Sequence, residues 1–247
     1  NDYLPKGGFN TYHEVFIGGG AIFFHLNPPQ SILGDFNEEL IETYEVLADD
    51  VENLIELLQR FENTKDEYYK VRLSNPINQL ERAARFIYLN QTSFNGIYRV
   101  NLKGEYNVPY GYRKKNFLDE DVLRNASMCL QNTDFYSGDF EKSLNNIKKN
   151  DLIFLDPPYT VAHNNNGFIK YNQKIFSIDD QYRLADYINV LKEIGAYYIL
   201  TNAAHKSIKE IFDNGDSQYI LSRASTVGGK KAKRGVYSEM LITNIDN

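Results

Sequence analysis

Tryptophan is absent from this chain of 247 residues, and cysteine occurs once, at Cys129. A single thiol excludes an internal disulfide and a zinc site built from cysteines. No apolar run approaches the ~20 residues needed to span a bilayer, no signal peptide is visible, and the lone cysteine fits a reducing interior. A net positive charge is lacking too: 27 Lys+Arg stand against 33 Asp+Glu, for −6, which argues against a uniformly basic nucleic-acid binder. An initial methionine is missing, and a segment before Asn1 is expected for that reason. What is present suffices for a packed core, since 42% of residues are apolar and 14% aromatic.

The charge is segregated. From Arg82 to Lys115 there are seven Lys/Arg and only Glu105 against them, and Arg223–Arg234 carries five more without an acid. Acidic residues gather in Glu38–Glu67 instead. A basic face on an acidic protein is compatible with phosphate binding, although solvated charge runs are also common.

Apolar periodicity predicts strands at Tyr12–Ile17, Ser31–Asp35, Asp134–Tyr136, Leu152–Leu155, Tyr197–Thr201, Gln218–Arg223 and Tyr237–Thr243. Helices are predicted at Ala21–Leu26, Asn37–Phe61, Asp66–Leu73, Asn78–Asn90, Glu120–Gln131, Asp139–Ile147, Asp179–Ile194 and Ala204–Phe212, with Asn37 as an N-cap. Alternating strands and helices imply an α/β fold with a mostly parallel sheet and helices on both faces. The boundaries expected are a core of residues 1–49 and 132–247, interrupted by an insertion at 50–131. Asn101–Gly104 is a hairpin-turn candidate within that insertion. Thr160–Phe176, rich in Asn, is expected to be a mobile loop.

Ligands of such sheets bind beyond the carboxyl ends of the strands, and the informative residues fall there. Gly18-Gly19-Gly20 lets backbone approach a ligand without interference from Cβ, with Glu14 and Phe16 leading into the turn. Neither a Gly-x-Gly-x-x-Gly spacing nor a Walker lysine accompanies it, so a triphosphate cradle is not implied. Asp35 can accept both hydroxyls of a ribose, or serve the helix that follows. Asp139-Phe140 suits the adenine edge of a nucleoside, with helix capping as its alternative. Asp156-Pro157-Pro158-Tyr159 makes a rigid slot with a carboxylate, a carbonyl that no local N–H can reach, and an aromatic ring. Two acceptors and a π-face suit a planar group carrying NH2. Together these features suggest methyl transfer from S-adenosylmethionine, with no metal. Duplex DNA hides such an amine, so base flipping and an insertion with wedges and cations are expected. Phe94 and Ile97 are candidate wedges, Arg99 a guanine reader, and Lys103, Arg113, Lys114 and Lys115 candidate phosphate ligands.

The blocks Glu14–Gly20, Asp35–Asn37, Phe94–Gly111, Gly138–Phe140, Asp156–Tyr159 and Arg234–Asn244 resemble, in order and over almost the whole chain, the DNA adenine methyltransferases of the Dam type (D12 class, alpha group). These include methylases of restriction-modification systems acting on GATC. The resemblance implies a Rossmann-like core with a helical and β-hairpin DNA-recognition insertion. It also implies S-adenosylmethionine as donor, duplex DNA as substrate, and a cognate restriction endonuclease as partner. On this resemblance Glu14, Phe16, Gly18, Gly20, Asp35, Asp139, Phe140 and Asp156 hold the cofactor. Asp156, Pro157, Pro158 and Tyr159 hold the target adenine. Phe94, Asn95, Ile97, Arg99, Lys103, Asn107, Arg113 and Lys114 meet the DNA. Alternatives are another adenine site such as GATATC, or a catalytically silent DNA-binding homologue. Two departures stand out: Val15 replaces the usual proline, and the N-terminal segment with Trp and Lys that helps hold the cofactor in the family is not seen.

Overall fold

A computed structural model describes residues 2–101, 104–158, 176–224 and 236–246. Among the described residues seven strands form one sheet in the order β3-β2-β1-β4-β5-β7-β6. They are β1 (Tyr12–Glu14), β2 (Ser31–Asp35), β3 (Thr133–Ser137), β4 (Leu152–Leu155), β5 (Tyr197–Ala203), β6 (Ser217–Ala224) and β7 (Val236–Thr243). β1 pairs in parallel with β2 and β4, and β4 with β5. β7 runs antiparallel to both β5 and β6. Every residue of β4 is buried, as expected for a central parallel strand covered on both faces.

Two compact units divide the chain, one of Asn1–Ile17, Pro28–Gly34 and Asp139–Asn247, the other of Gly18–Asn27 and Asp35–Gly138. The insertion expected at 50–131 lies wholly within the second unit, which also takes in residues before and after it.

The first unit is organised by the helix Ile178–Ile194. Its buried Leu184, Tyr187, Ile188 and Leu191 recur at helical spacing. Ser177 and Asp180 close a reciprocal capping box at its start, and Gly195 (φ 81°) ends it in the left-handed conformation that glycine adopts without strain.

The second unit contains α1 (Ala21–Leu26), α2 (Glu38–Asp49), α3 (Val51–Leu58), α4 (Lys65–Leu73), α5 (Gln79–Thr92) and α6 (Glu120–Leu130). The single helix predicted over Asn37–Phe61 is therefore two. At Asp50 the backbone leaves helical geometry (φ −143°, ψ 47°), and its carboxylate accepts Asn53 Nδ2 at 2.8 Å. Short acidic side chains compete locally with helical hydrogen bonding, and Asp49-Asp50 sits at the negative end of α2. Leu54, Ile55 and Leu58 of α3 are almost wholly buried, each worth roughly 1.5–3 kcal/mol against exposure.

Among the described residues no helix is long and apolar enough to cross a membrane, and no cluster of three or more His, Cys, Asp or Glu side chains is arranged to hold a metal ion.

Candidate active site

Asp156 is the first residue beyond β4, and its exposed side chain is followed by buried Pro157 and half-buried Pro158. The parallel register of β4 on β5 pairs Leu155 with Leu200. The next step along β5 is Thr201, whose hydroxyl donates to Asp156 Oδ1 at 2.7 Å. Sequence reasoning missed this partner, because a contact between residues 45 positions apart leaves no local trace. Beside it Asn202, fully buried, donates to Gln181 Oε1 at 3.0 Å and accepts from Ala203 N. That anchoring carries β5 two residues beyond the end predicted at Thr201. Tyr159 and most of Thr160–Phe176 lie outside the described residues.

In the same unit, Glu14 is buried and accepts the Tyr12 hydroxyl at 2.7 Å. Burial, with Glu14 adding to it, pushes the Tyr12 phenol far above its ordinary value, so it donates and stays neutral. Phe16 packs on Phe140 and on Phe176, each at 5.6 Å between ring centres. Asp139 caps the 3-10 turn Phe140–Asn145 by accepting Glu141 N at 3.0 Å. It also pairs with Arg183 Nη2 at 2.9 Å. The Arg183 guanidinium lies over the Phe140 ring, 5.0 Å from its centre, and also pairs with Glu141 and Asp180. Glu141 above all, then Asp139 and Asp180, raise the Arg183 pKa.

The second unit holds the glycine turn and Asp35. Gly18 and Gly20 have φ of 46° and 64°, a region costly for other residues. Space beside Gly18 and Gly19 is open, whereas a Cβ on Gly20 would press on Phe24 and the Tyr44 hydroxyl. Tyr44 in turn donates to the Gly18 carbonyl at 3.0 Å. Asp35 Oδ2 accepts Gly18 N at 3.1 Å and Oδ1 accepts Asn37 N at 2.9 Å. Burial raises the Asp35 pKa, against the lowering by these backbone donors. A rigid carboxylate beside open glycine backbone fits a ribose. Phe36, next to it and 77% exposed, is an apolar surface that the sequence reading passed over.

The DNA-facing candidates also lie in the second unit. Phe94–Gly96 is one 3-10 turn in which Asn95 takes φ 58°, a left-handed state that Asn tolerates. Phe94 is 52% exposed, an unusual site for so large a ring. The segment after it returns antiparallel through isolated bridges, Ser93 with Tyr110 and Val100 with Tyr106, in place of a continuous ladder. Arg99 Nε donates to Asn107 Oδ1 at 2.7 Å across the two arms. Between the arms Tyr106 donates to the Ile97 carbonyl at 3.0 Å. Tyr98 donates to Glu39 of α2 at 3.0 Å. Arg113 reaches the Gln91 carbonyl at 3.4 Å and lies over Gly96, while Lys114 and Lys115 are exposed. Asn101 and Glu105 close the turn by backbone and side-chain bonds; Lys103 lies outside the described residues, as does most of Arg223–Arg234.

The family model described as D12 class N6 adenine-specific DNA methyltransferase matches residues 1–227. The Type II methyltransferase M1.LlaDCHI of Lactococcus lactis subsp. cremoris is 36% identical over 256 residues, covering 99% of this chain and 90% of its own. Type II methyltransferase M.MjaIII of Methanocaldococcus jannaschii is also 36% identical, covering 98% and 90%. A DNA adenine methylase of Haemophilus influenzae is 32% identical over 83% of this chain and 74% of its own.

Proposed function

Because the chain belongs to the D12 class N6 adenine-specific DNA methyltransferase family, we propose that it methylates the exocyclic amine of adenine within GATC in duplex DNA, using S-adenosylmethionine and base flipping. The observation that carries this reading is Asp156, an exposed carboxylate held by Thr201 at the carboxyl end of a buried strand and followed by two prolines.

An aromatic amine is a weak nucleophile because its lone pair is delocalised into the ring. Asp156 and the Pro157 carbonyl accept its two hydrogens, draw the lone pair back onto nitrogen, and stabilise the positive charge that grows there. When bound, S-adenosylmethionine supplies a methyl group already activated by a sulfonium. As the N–C bond forms, the S–C bond breaks, and the nitrogen then releases one proton by way of Asp156 to solvent. Pro157 and Pro158 keep the acceptors from drifting, since neither ring nitrogen has a hydrogen that could tie up a neighbouring carbonyl. Asp35 holds the ribose, Gly18 and Gly20 allow close approach, and Asp139 with Phe140 borders the adenine of the cofactor. Phe94 and Ile97 fill the gap left by the extruded base, Arg99 reads a guanine, and Asn107, Lys114 and Arg113 border the backbone.

GATC, in preference to a site such as GATATC, rests on the resemblance of Phe94–Gly111 to enzymes of that specificity. Relatives named DNA adenine methylase at about 30% identity agree with it. The Type II names of two other relatives support a partner endonuclease cutting the same site. The test is transfer of a labelled methyl group to duplexes carrying GATC, GATATC and single-base variants, with the modified atom mapped. N6-methyladenine in GATC alone is expected; equal labelling across the panel would remove the GATC assignment. Asp156→Ala should abolish transfer while duplex binding survives, and turnover by that variant would overturn the role given to Asp156.

A further inference from the structure

We propose that Thr201 is a positioning residue for Asp156, its hydroxyl holding Oδ1 and so orienting the carboxylate toward the target amine. The inference deepens the proposed function and rests on it. Asp156 is exposed and stands just past the end of its strand, beyond the ladder that orders Leu152–Leu155. A carboxylate that turned away would leave the amine without this acceptor. Thr201 is buried on the adjacent strand, and its one hydroxyl proton has two acceptors in reach. Asp156 Oδ1 lies at 2.7 Å and the Leu155 carbonyl at 3.4 Å. The shorter distance and the ionised acceptor both direct the proton to Asp156.

The donor is itself held. β-branching restricts Thr201 about χ1. The next residue, Asn202, is tied to Gln181, a fully buried side chain on the helix Ile178–Ile194. A chain of fixed groups thus runs from that helix through β5 to the catalytic carboxylate, entirely within the first unit. Alignment of this kind acts on the chemical step and not on substrate affinity, because binding of DNA and cofactor is distributed over many other contacts.

The experiment compares the full chain with Thr201→Val, Thr201→Ser and Thr201→Ala, on a GATC duplex and on one carrying 2-aminopurine at the target position. Thr201→Val keeps the shape and removes the donor, so kcat should fall about 10- to 100-fold, the value of a hydrogen bond to an ionised group. Duplex and cofactor affinities, and the fluorescence rise on base extrusion, should stay within about twofold of wild type. Thr201→Ser restores the hydroxyl without the methyl group and should recover most of the rate. Undiminished kcat in Thr201→Val overturns the proposal, as does a serine variant no faster than valine. Should the valine variant not fold, serine against alanine decides in the same way. These failures would leave the role given to Asp156 under the proposed function standing if wild type methylates the duplex and Asp156→Ala does not. Turnover by Asp156→Ala would sink that reading instead.

Discussion

Lowering the pH should weaken this protein through His13. The ring is fully buried in β1, and its Nε2 is 3.1 Å from Asp151 Oδ2. Asp151 also accepts Thr11 N at 3.2 Å and Lys148 N at 2.8 Å. With Nε2–H donating to Asp151, Nδ1 faces the core with no hydrogen-bond partner among the described residues. Protonating Nδ1 would bury a charged N–H with nothing to accept it. Burial therefore holds the His13 pKa below its ordinary 6.5, and the upward pull of Asp151 does not offset it. In the unfolded chain the same ring takes its proton at about 6.5. Below that pH the unfolded state gains a proton that the folded state refuses, so stability present above about 6.5 is lost as the pH falls.

If the ring stays neutral in the fold, about 1.4 kcal/mol disappears between pH 7.5 and 5.5. In a chain of this size that lowers the melting temperature by roughly 3–5 °C. Asp35 and Glu45 work in the opposite direction. Burial raises both, helped for Glu45 by Glu42 and Asp49, so acid relieves a penalty they carry at neutral pH. The clean measurement is therefore the difference in melting temperature between wild type and His13→Gln, by calorimetry across pH 5.5–7.5. Glutamine can still donate to Asp151 but does not titrate. Its deficit relative to wild type should shrink toward pH 5.5, and a constant gap would refute the argument.

Other outcomes follow from the second unit. Arg99→Ala should relax discrimination at one guanine by about 1–3 kcal/mol, measured as kcat/KM across single-base variants of the duplex; unchanged ratios would contradict that role. Gly111→Ala should be far harsher than its size suggests, because the added Cβ would stand 2.4 Å from the Ser93 carbonyl oxygen and 3.0 Å from Phe94 N. That clash opens the bridge between Ser93 and Tyr110, at a cost of about 1–3 kcal/mol or more. Duplex affinity should drop while cofactor affinity, measured by calorimetry, holds.

How much could be read in advance depends on whether the cause is local. β4 matches its predicted bounds because four apolar residues lie between Asp151 and Asp156-Pro157, and both ends are chemically marked. α1 and β2 match for the same reason, the first entered through Gly20 and the second closed by Asp35. The break at Asp50 was missed because apolar periodicity runs straight through it; only the paired acids hinted at a stop. The arms after Phe94, expected to pair as a hairpin, do pair antiparallel, through two bridges and backbone bonds such as Asn107 N to the Arg99 carbonyl, without a longer ladder. Tyr68, from α4, and Arg72 both take the Val108 carbonyl that a longer ladder would use.

Of the two readings weighed for Asp139 in the sequence, capping is the one its hydrogen bonds show. Asp139 caps the turn that follows it and also pairs with Arg183, a residue 44 positions away. Capping uses the same Oδ1 that meets the guanidinium, so the cap fixes the carboxylate and leaves Oδ2 to be presented elsewhere. Asp35 divides its two oxygens between Gly18 N and Asn37 N in a similar way. An acid at a strand's end that serves the next element is thereby held rigid, and rigidity is what a binding carboxylate needs. Asp156, too, has an oxygen held by another element, since Thr201 on the neighbouring strand donates to its Oδ1. The residue most legible in the sequence thus has a partner, 45 positions away, that the sequence alone did not reveal.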